Sequence, residues 1–182
     1  MRHIPIALAI TLVSGFTLAE QRHASSHVHG LNHATIVLES NSLQIAYEFP
    51  TEQLSEHEHD EHKHDEHKHD EHDDKNHALS EKLEAIESVF AIVRLPKNAQ
   101  CKETKVTHSV TQVGGNDKED ASHFDALIEA TVECGAPNNL TNVSFAPAFE
   151  RFDELEKIEV EGLVGTRALS KTLTAKSSSL AL

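Results

Sequence analysis

The sequence has no Trp, one Tyr and one Met, and aromatic residues fill only 4% of its 182 positions. Large aromatic side chains therefore contribute little to folding. Hydrophobic residues at 38% still suffice for one modest core, so a single domain of ordinary size is expected. Basic residues are also scarce: 16 Lys and Arg stand against 30 Asp and Glu, a formal net charge of −14. That balance excludes nucleic acid and anionic membrane as partners, because both repel such a surface. A cation is its natural counterpart. Soft sulfur ligands are nearly missing, which argues against a specialist for Cu(I). No phosphate-binding Gly-rich loop and no Gly-x-Ser-x-Gly motif occurs. A zinc protease needs His-Glu-x-x-His or His-x-x-Glu-His on a helix, and neither is present. No enzyme is expected.

Long apolar runs are lacking too, except at the start. Met1-Arg2-His3 is a short, weakly positive opening, and residues 4–18 are nearly all apolar or small. Thr17-Leu18-Ala19 presents small residues at the two positions that a signal peptidase reads. Residues 1–19 therefore read as a secretory signal cleaved after Ala19. The run is shorter than the roughly 20 residues that span a bilayer, and no Cys near the cleavage point offers a lipid anchor. The mature protein is expected to be soluble and periplasmic, with no membrane insertion. Two cysteines remain, Cys101 and Cys134. An even count in an exported chain points to one disulfide between them.

Residues 34–50 alternate apolar and polar, with Ile36, Leu38, Leu43, Ile45, Tyr47 and Phe49 on the apolar positions. With Ser40-Asn41-Ser42 as the turn, they predict a β-hairpin ended by Pro50. Residues 20–52 thus form the first part of the domain. Residues 53–78 carry almost nothing apolar and cannot offset their ordering entropy, so a disordered insert is expected there without metal. Residues 79–182 supply the remainder. Leu79, Leu83, Ile86, Val89, Phe90 and Val93 fit one face of a long helix stopped at Leu95-Pro96. Residues 104–113 and 122–134 read as strands around the loop beginning Gly114-Gly115-Asn116-Asp117. Phe145 to Leu155 predicts a short helix. Residues 158–164 alternate again, and 167–182 offer a last strand. The class is α+β with a mainly antiparallel sheet.

The chemistry is concentrated in the insert. Between His57 and His77 lie eight of the 15 histidines: His57, His59, His62, His64, His67, His69, His72 and His77. The core of this stretch is a five-residue repeat, His-Lys-His-Asp-Glu. Neutral imidazole is a borderline ligand favoured by zinc, nickel and copper. Histidines two apart can reach one ion from an extended backbone. Those three apart, such as His59 with His62, can do so from a helical turn. Interleaved carboxylates add oxygen ligands and raise the proton affinity of the imidazoles, so protons compete with metal as pH falls. Several overlapping sites for Zn²⁺, Ni²⁺, Cu²⁺ or Co²⁺ follow, with modest selectivity. A bare acidic linker would need charge but not imidazole at every second or third position. A second cluster, His27-Val28-His29-Gly30, has His23 and His33 nearby. On a strand, His27 and His29 project to one side. His108 and His123 are single residues on predicted strands. Such histidines are commonly structural, and His123 is the better ligand candidate because it begins its strand.

These pieces occur in a familiar order. His27-Val28-His29-Gly30 precedes an alternating hairpin ending in Pro50. Then come the His/Asp/Glu run, an amphipathic segment leading to Cys101, and a strand from His123 to Cys134. Phe149 and Phe152 follow, before a strand at Ile158–Val160. The order resembles the ZrgA-like zinc-regulated periplasmic proteins of Gram-negative bacteria. In place of a Gly-Phe-Glu-His-like stretch after Pro50 stands Thr51-Glu52-Gln53-Leu54-Ser55-Glu56-His57. The resemblance implies periplasmic capture of Zn²⁺ in support of zinc acquisition or homeostasis. It implies a component of a zinc uptake system as partner. His27, His29, the histidines of 57–77 and His123 would be the metal-binding positions. Two alternatives stay open on the residues alone: a periplasmic buffer or resistance protein for copper or nickel, and an interaction module whose acidic loop docks on a basic partner.

Overall fold

A computed structural model describes residues 30–54, 79–113 and 123–182. A six-stranded sheet dominates it. The strands are β1 (Leu31–Glu39), β2 (Ser42–Pro50), β3 (Cys101–Val113), β4 (His123–Cys134), β6 (Lys157–Val164) and β7 (Arg167–Leu173), in the spatial order β3-β4-β2-β1-β6-β7. All neighbours are antiparallel except β1 and β6, which run parallel. Two short strands, β5 (Asn142–Ser144) and β8 (Ser179–Ala181), form a separate antiparallel pair. Among the described residues, 79–84 are helical (α1), and α2 is Ala146–Arg151. The α+β class and the antiparallel bias expected from the patterning are those observed.

Alternation builds a one-sided sheet. Ala34 and Ile36 on β1, Leu43, Ile45, Tyr47 and Phe49 on β2, and Ala126, Ile128 and Val132 on β4 are all buried. So are Ile158 and Val160 on β6. Residues at the intervening positions, among them His33, Thr35, Gln44, Glu48, Glu129, Glu159 and Glu161, are half-buried or exposed. The buried face packs against Leu83, Ile86, Val89, Ile92 and Val93, and against Val143, Phe145, Ala148, Phe152 and Leu180. Four of the eight aromatic residues, Tyr47, Phe49, Phe145 and Phe152, are pooled there. Tyr47 stacks near Phe145 and Phe152 at centroid distances of 6.1 and 6.3 Å, and Phe49 meets Phe152 at 4.8 Å.

Two glycines permit the parallel β1–β6 contact. Gly162 lies beside Ile36, and a Cβ there would collide with the Ile36 carbonyl oxygen. Gly30 has φ of +77°, and its carbonyl accepts from the backbone N–H groups of both Glu156 and Lys157. Its conformational freedom serves the approach to β6.

The structure departs from the expected long helix over 79–93. Helical residues end at 84, and Val89–Ala91 form a separate 3₁₀ turn. Ser88 separates them. Its backbone is extended and its Oγ accepts from the Phe90 N–H, while Glu103 of β3 takes the Val89 N–H at 2.6 Å. A Ser that caps a new turn competes with helix continuation. Leu83, Ile86, Val89 and Val93 are still buried, but Phe90 is 40% exposed. The second helix is shorter than 145–155, and 167–182 yields two strands, β8 leaving the main sheet to pair with β5.

The sheet has a closed foot. Cys101 and Cys134 stand opposite one another on β3 and β4 and form the expected disulfide. Beside them the Cys134 N–H donates to the Asn41 carbonyl in the β1–β2 turn. The bridge links residues 33 apart. Restricting an unfolded loop of that length is worth about 3–4 kcal/mol. Replacing both cysteines by Ser should lower stability by about that amount in urea denaturation, and reducing agent should do the same to the wild type. An unchanged denaturation midpoint would contradict the entropic role assigned to the bridge.

Candidate metal centre

The other end of the sheet, its head, is where the predicted ligands attach. His27, His29, His57, His59, His62, His64, His67, His69, His72 and His77 lie outside the described residues. Their points of attachment do not. Gly30, the residue after His29, leads into β1. β2 ends at Pro50 and continues as a 3₁₀ turn, Thr51–Leu54, three residues before His57. His123 is the first residue of β4, paired with Val113, and Asp125 is paired with Pro50. Because β4, β2 and β1 are neighbours, the start of β4, the end of β2 and the start of β1 lie within about two strand spacings, roughly 10 Å. Three His-bearing stretches that are far apart in sequence thus attach at one edge of the fold.

A buried polar clasp holds two of these attachment points together. Asn32 is fully buried. Its Nδ2 donates to the Tyr47 hydroxyl at 2.7 Å and to Gln53 Oε1 at 2.9 Å, and its Oδ1 accepts from Gln53 Nε2 at 2.8 Å. Reciprocal amide bonding satisfies groups whose burial would otherwise be costly. It ties the root of β1 to the segment that leads into the insert. Sequence reading missed this clasp. An Asn at an apolar phase of β1, two residues from Ala34, was the available signal.

The remaining histidines divide. His108 lies with Nε2 2.9 Å from the Ile86 carbonyl oxygen, to which it donates. It is a structural histidine that fastens β3 to the segment after α1, as single strand histidines commonly are. His33, earlier only a neighbour of the second cluster, stands on the open face with Nδ1 3.7 Å from Glu159 Oε2. Both thiols are consumed by the disulfide. Among the described residues, no three His, Cys, Asp or Glu side chains converge to hold a metal ion.

Burial pushes the Tyr47 hydroxyl far above its ordinary value of 10.0, opposed only in part by the hydrogen bond from Asn32. The folded state therefore holds this proton more tightly than the unfolded chain. The sign follows: the stabilisation is complete below pH 10 and declines as pH rises above it. Tyr47 is the sole Tyr and there is no Trp, so tyrosinate absorbance reports it alone. In the folded protein that absorbance should stay low above pH 10 and appear together with unfolding. Tyr47→Phe should remove the alkaline decline and cost about 1 kcal/mol at neutral pH for the lost hydrogen bond. Tyrosinate formation near pH 10 with the fold intact would show that the hydroxyl is not sequestered.

No helix among the described residues is long and apolar enough to cross a membrane. The sequence model of the family described as ZrgA family zinc uptake protein matches residues 26–182. Among curated proteins, none matches the chain significantly.

Proposed function

Because the chain belongs to the ZrgA family of zinc uptake proteins, we propose that it is an exported, periplasmic protein that captures Zn²⁺ and supports zinc acquisition or homeostasis. The role is binding, not catalysis. One observation carries the reading: eight histidines interleaved with carboxylates occupy 57–77, and this segment attaches at the same edge as His27-Val28-His29 and His123. Shared attachment raises the local concentration of imidazole without requiring one rigid cage. The repeat gathers ions. Ligands at the head of the sheet, with His27, His29 and His123 the first to test, retain one or present it to a component of a zinc uptake system.

The ligand chemistry also tolerates Ni²⁺, Cu²⁺ and Co²⁺. The family description favours zinc, and the loss of both thiols to the disulfide disfavours Cu(I). The −14 formal charge draws divalent cations toward the protein, an effect that salt screens.

Calorimetric titration of the metal-free chain with Zn²⁺ at neutral pH should reveal more than one bound equivalent. Deleting 57–77 should remove most of them, and lowering the pH below about 6 should weaken binding as imidazoles take up protons. Unchanged stoichiometry after the deletion would refute the assignment to this segment.

A further inference from the structure

We propose that a groove at the foot of the sheet docks a short extended segment of a partner protein, one in which an apolar side chain is bracketed by carboxylates. The proposal goes beyond zinc capture and uses none of the candidate metal ligands.

The groove lies between residues 90–97 and the start of α2, beside the disulfide, and has a volume of about 480 Å³. That volume is in the range of sites that hold a ligand. Phe90, Leu95, Pro96 and Pro147 give it apolar walls, and Arg94 and Lys97 also line it. Phe90 reaches the groove because the chain breaks at Ser88. A continuous helix would have placed it on the buried face with Val89 and Val93. The 3₁₀ turn held by Ser88 and Glu103 leaves its side chain 40% exposed instead. A single exposed apolar side chain is ordinary on a surface. One that lines a groove gives a partner side chain something to cover.

Charge indicates what fits. The chain has a formal net charge of −14, yet this groove presents two cations. Arg94 and Glu150 are 3.9 Å apart, with side chains 64% and 67% exposed. So long and so solvated a pair holds the guanidinium weakly and leaves its donors available to a ligand carboxylate. Lys97 is exposed and makes no ion pair among the described residues. The two cations stand on either side of Leu95-Pro96, with Pro96 extended at φ −57° and ψ 125°. Their Cα atoms are therefore up to about 10 Å apart. A free anion would engage the cations and leave the apolar walls uncovered. Alternate residues of an extended peptide face one way. Acidic, apolar and acidic residues at every second position thus meet Arg94, the apolar walls and Lys97 together. The groove borders Cys101 at the foot, whereas the His-bearing stretches attach at the head. A partner held here leaves the metal-binding end uncovered.

The test is fluorescence anisotropy with the full chain and labelled heptapeptides. In one set a central Leu or Phe has Glu two residues away on each side; in the other set Lys replaces Glu. A Glu peptide should bind the wild type with Kd below about 1 mM, and more weakly as salt rises. The Lys peptides should not bind. Arg94→Gln/Lys97→Gln should weaken binding about tenfold, and Phe90→Ala about fivefold. Arg167→Gln/Lys176→Gln removes the same charge outside the groove and should leave binding unchanged. Both charge variants should keep the wild-type Tm and zinc stoichiometry, so the groove and the zinc reading stand or fall separately. The proposal is overturned if no Glu peptide binds, if Glu and Lys peptides bind alike, or if the two charge variants weaken binding equally. Binding that survives unchanged in both Phe90→Ala and Arg94→Gln/Lys97→Gln overturns it too. Sedimentation supplies the last arm: dimerisation abolished by Arg94→Gln/Lys97→Gln would make a second copy the occupant and likewise overturn it.

Discussion

The head of the sheet depends on one buried contact, the reciprocal amide pairing of Asn32 with Gln53, backed by the Tyr47 hydroxyl. Asn32 sits at a position of β1 that alternation would assign to an apolar side chain. A lone amide there would be costly to bury. Paired, the two amides satisfy each other and fix the segment after Pro50 against β1. The aromatic side chains Phe49, Phe145 and Phe152 surround Tyr47 and exclude water from it. In a chain with so few aromatic residues, their concentration at this point shows where packing is most demanding.

The second organising fact is that, among the described residues, only one face of the sheet is covered. Helical segments and the β5–β8 pair lie on the apolar side, so the opposite side carries His33, Glu48, Glu129, Glu159 and Glu161 in water. Stability and chemistry are thereby separated. Core substitutions act through packing, whereas open-face residues change charge and ligand content with little effect on folding. The two ends of the sheet are separated in the same way. At the foot, the disulfide and the Cys134–Asn41 backbone bond close the structure. At the head, the His-bearing stretches attach.

Much of the fold was legible in the sequence. The β1–β2 hairpin, the strands flanking residues 114–122, and the cysteine pair followed from alternation, turn residues and cysteine count. Each of these signals is local, or depends on a pair with one possible partner. The long helix failed because apolar spacing in 79–93 describes which residues are buried, not the backbone that buries them. Ser88 and its bond to the Phe90 N–H reset the chain, and a distant carboxylate, Glu103, stabilised the break. The parallel β1–β6 pairing was equally illegible, because strands more than 110 residues apart carry no mark of their partner. Gly162 records it only in retrospect. For the candidate site, the ligand types were plain and their arrangement was not.

That asymmetry has a physical basis that bears on how such a protein handles its ion. Closely spaced histidines advertise metal binding in sequence because their chelation needs no fold, and for the same reason it transmits nothing to the fold. Ligands supplied by separate strands are invisible in sequence, but their occupancy is linked to the folded state and hence to whatever the folded surface contacts. On the proposed reading, a contiguous repeat suits capture, since it presents many ligands and imposes little geometry. The clasp of Asn32 with Gln53 holds the root of the segment that leads into the repeat against β1.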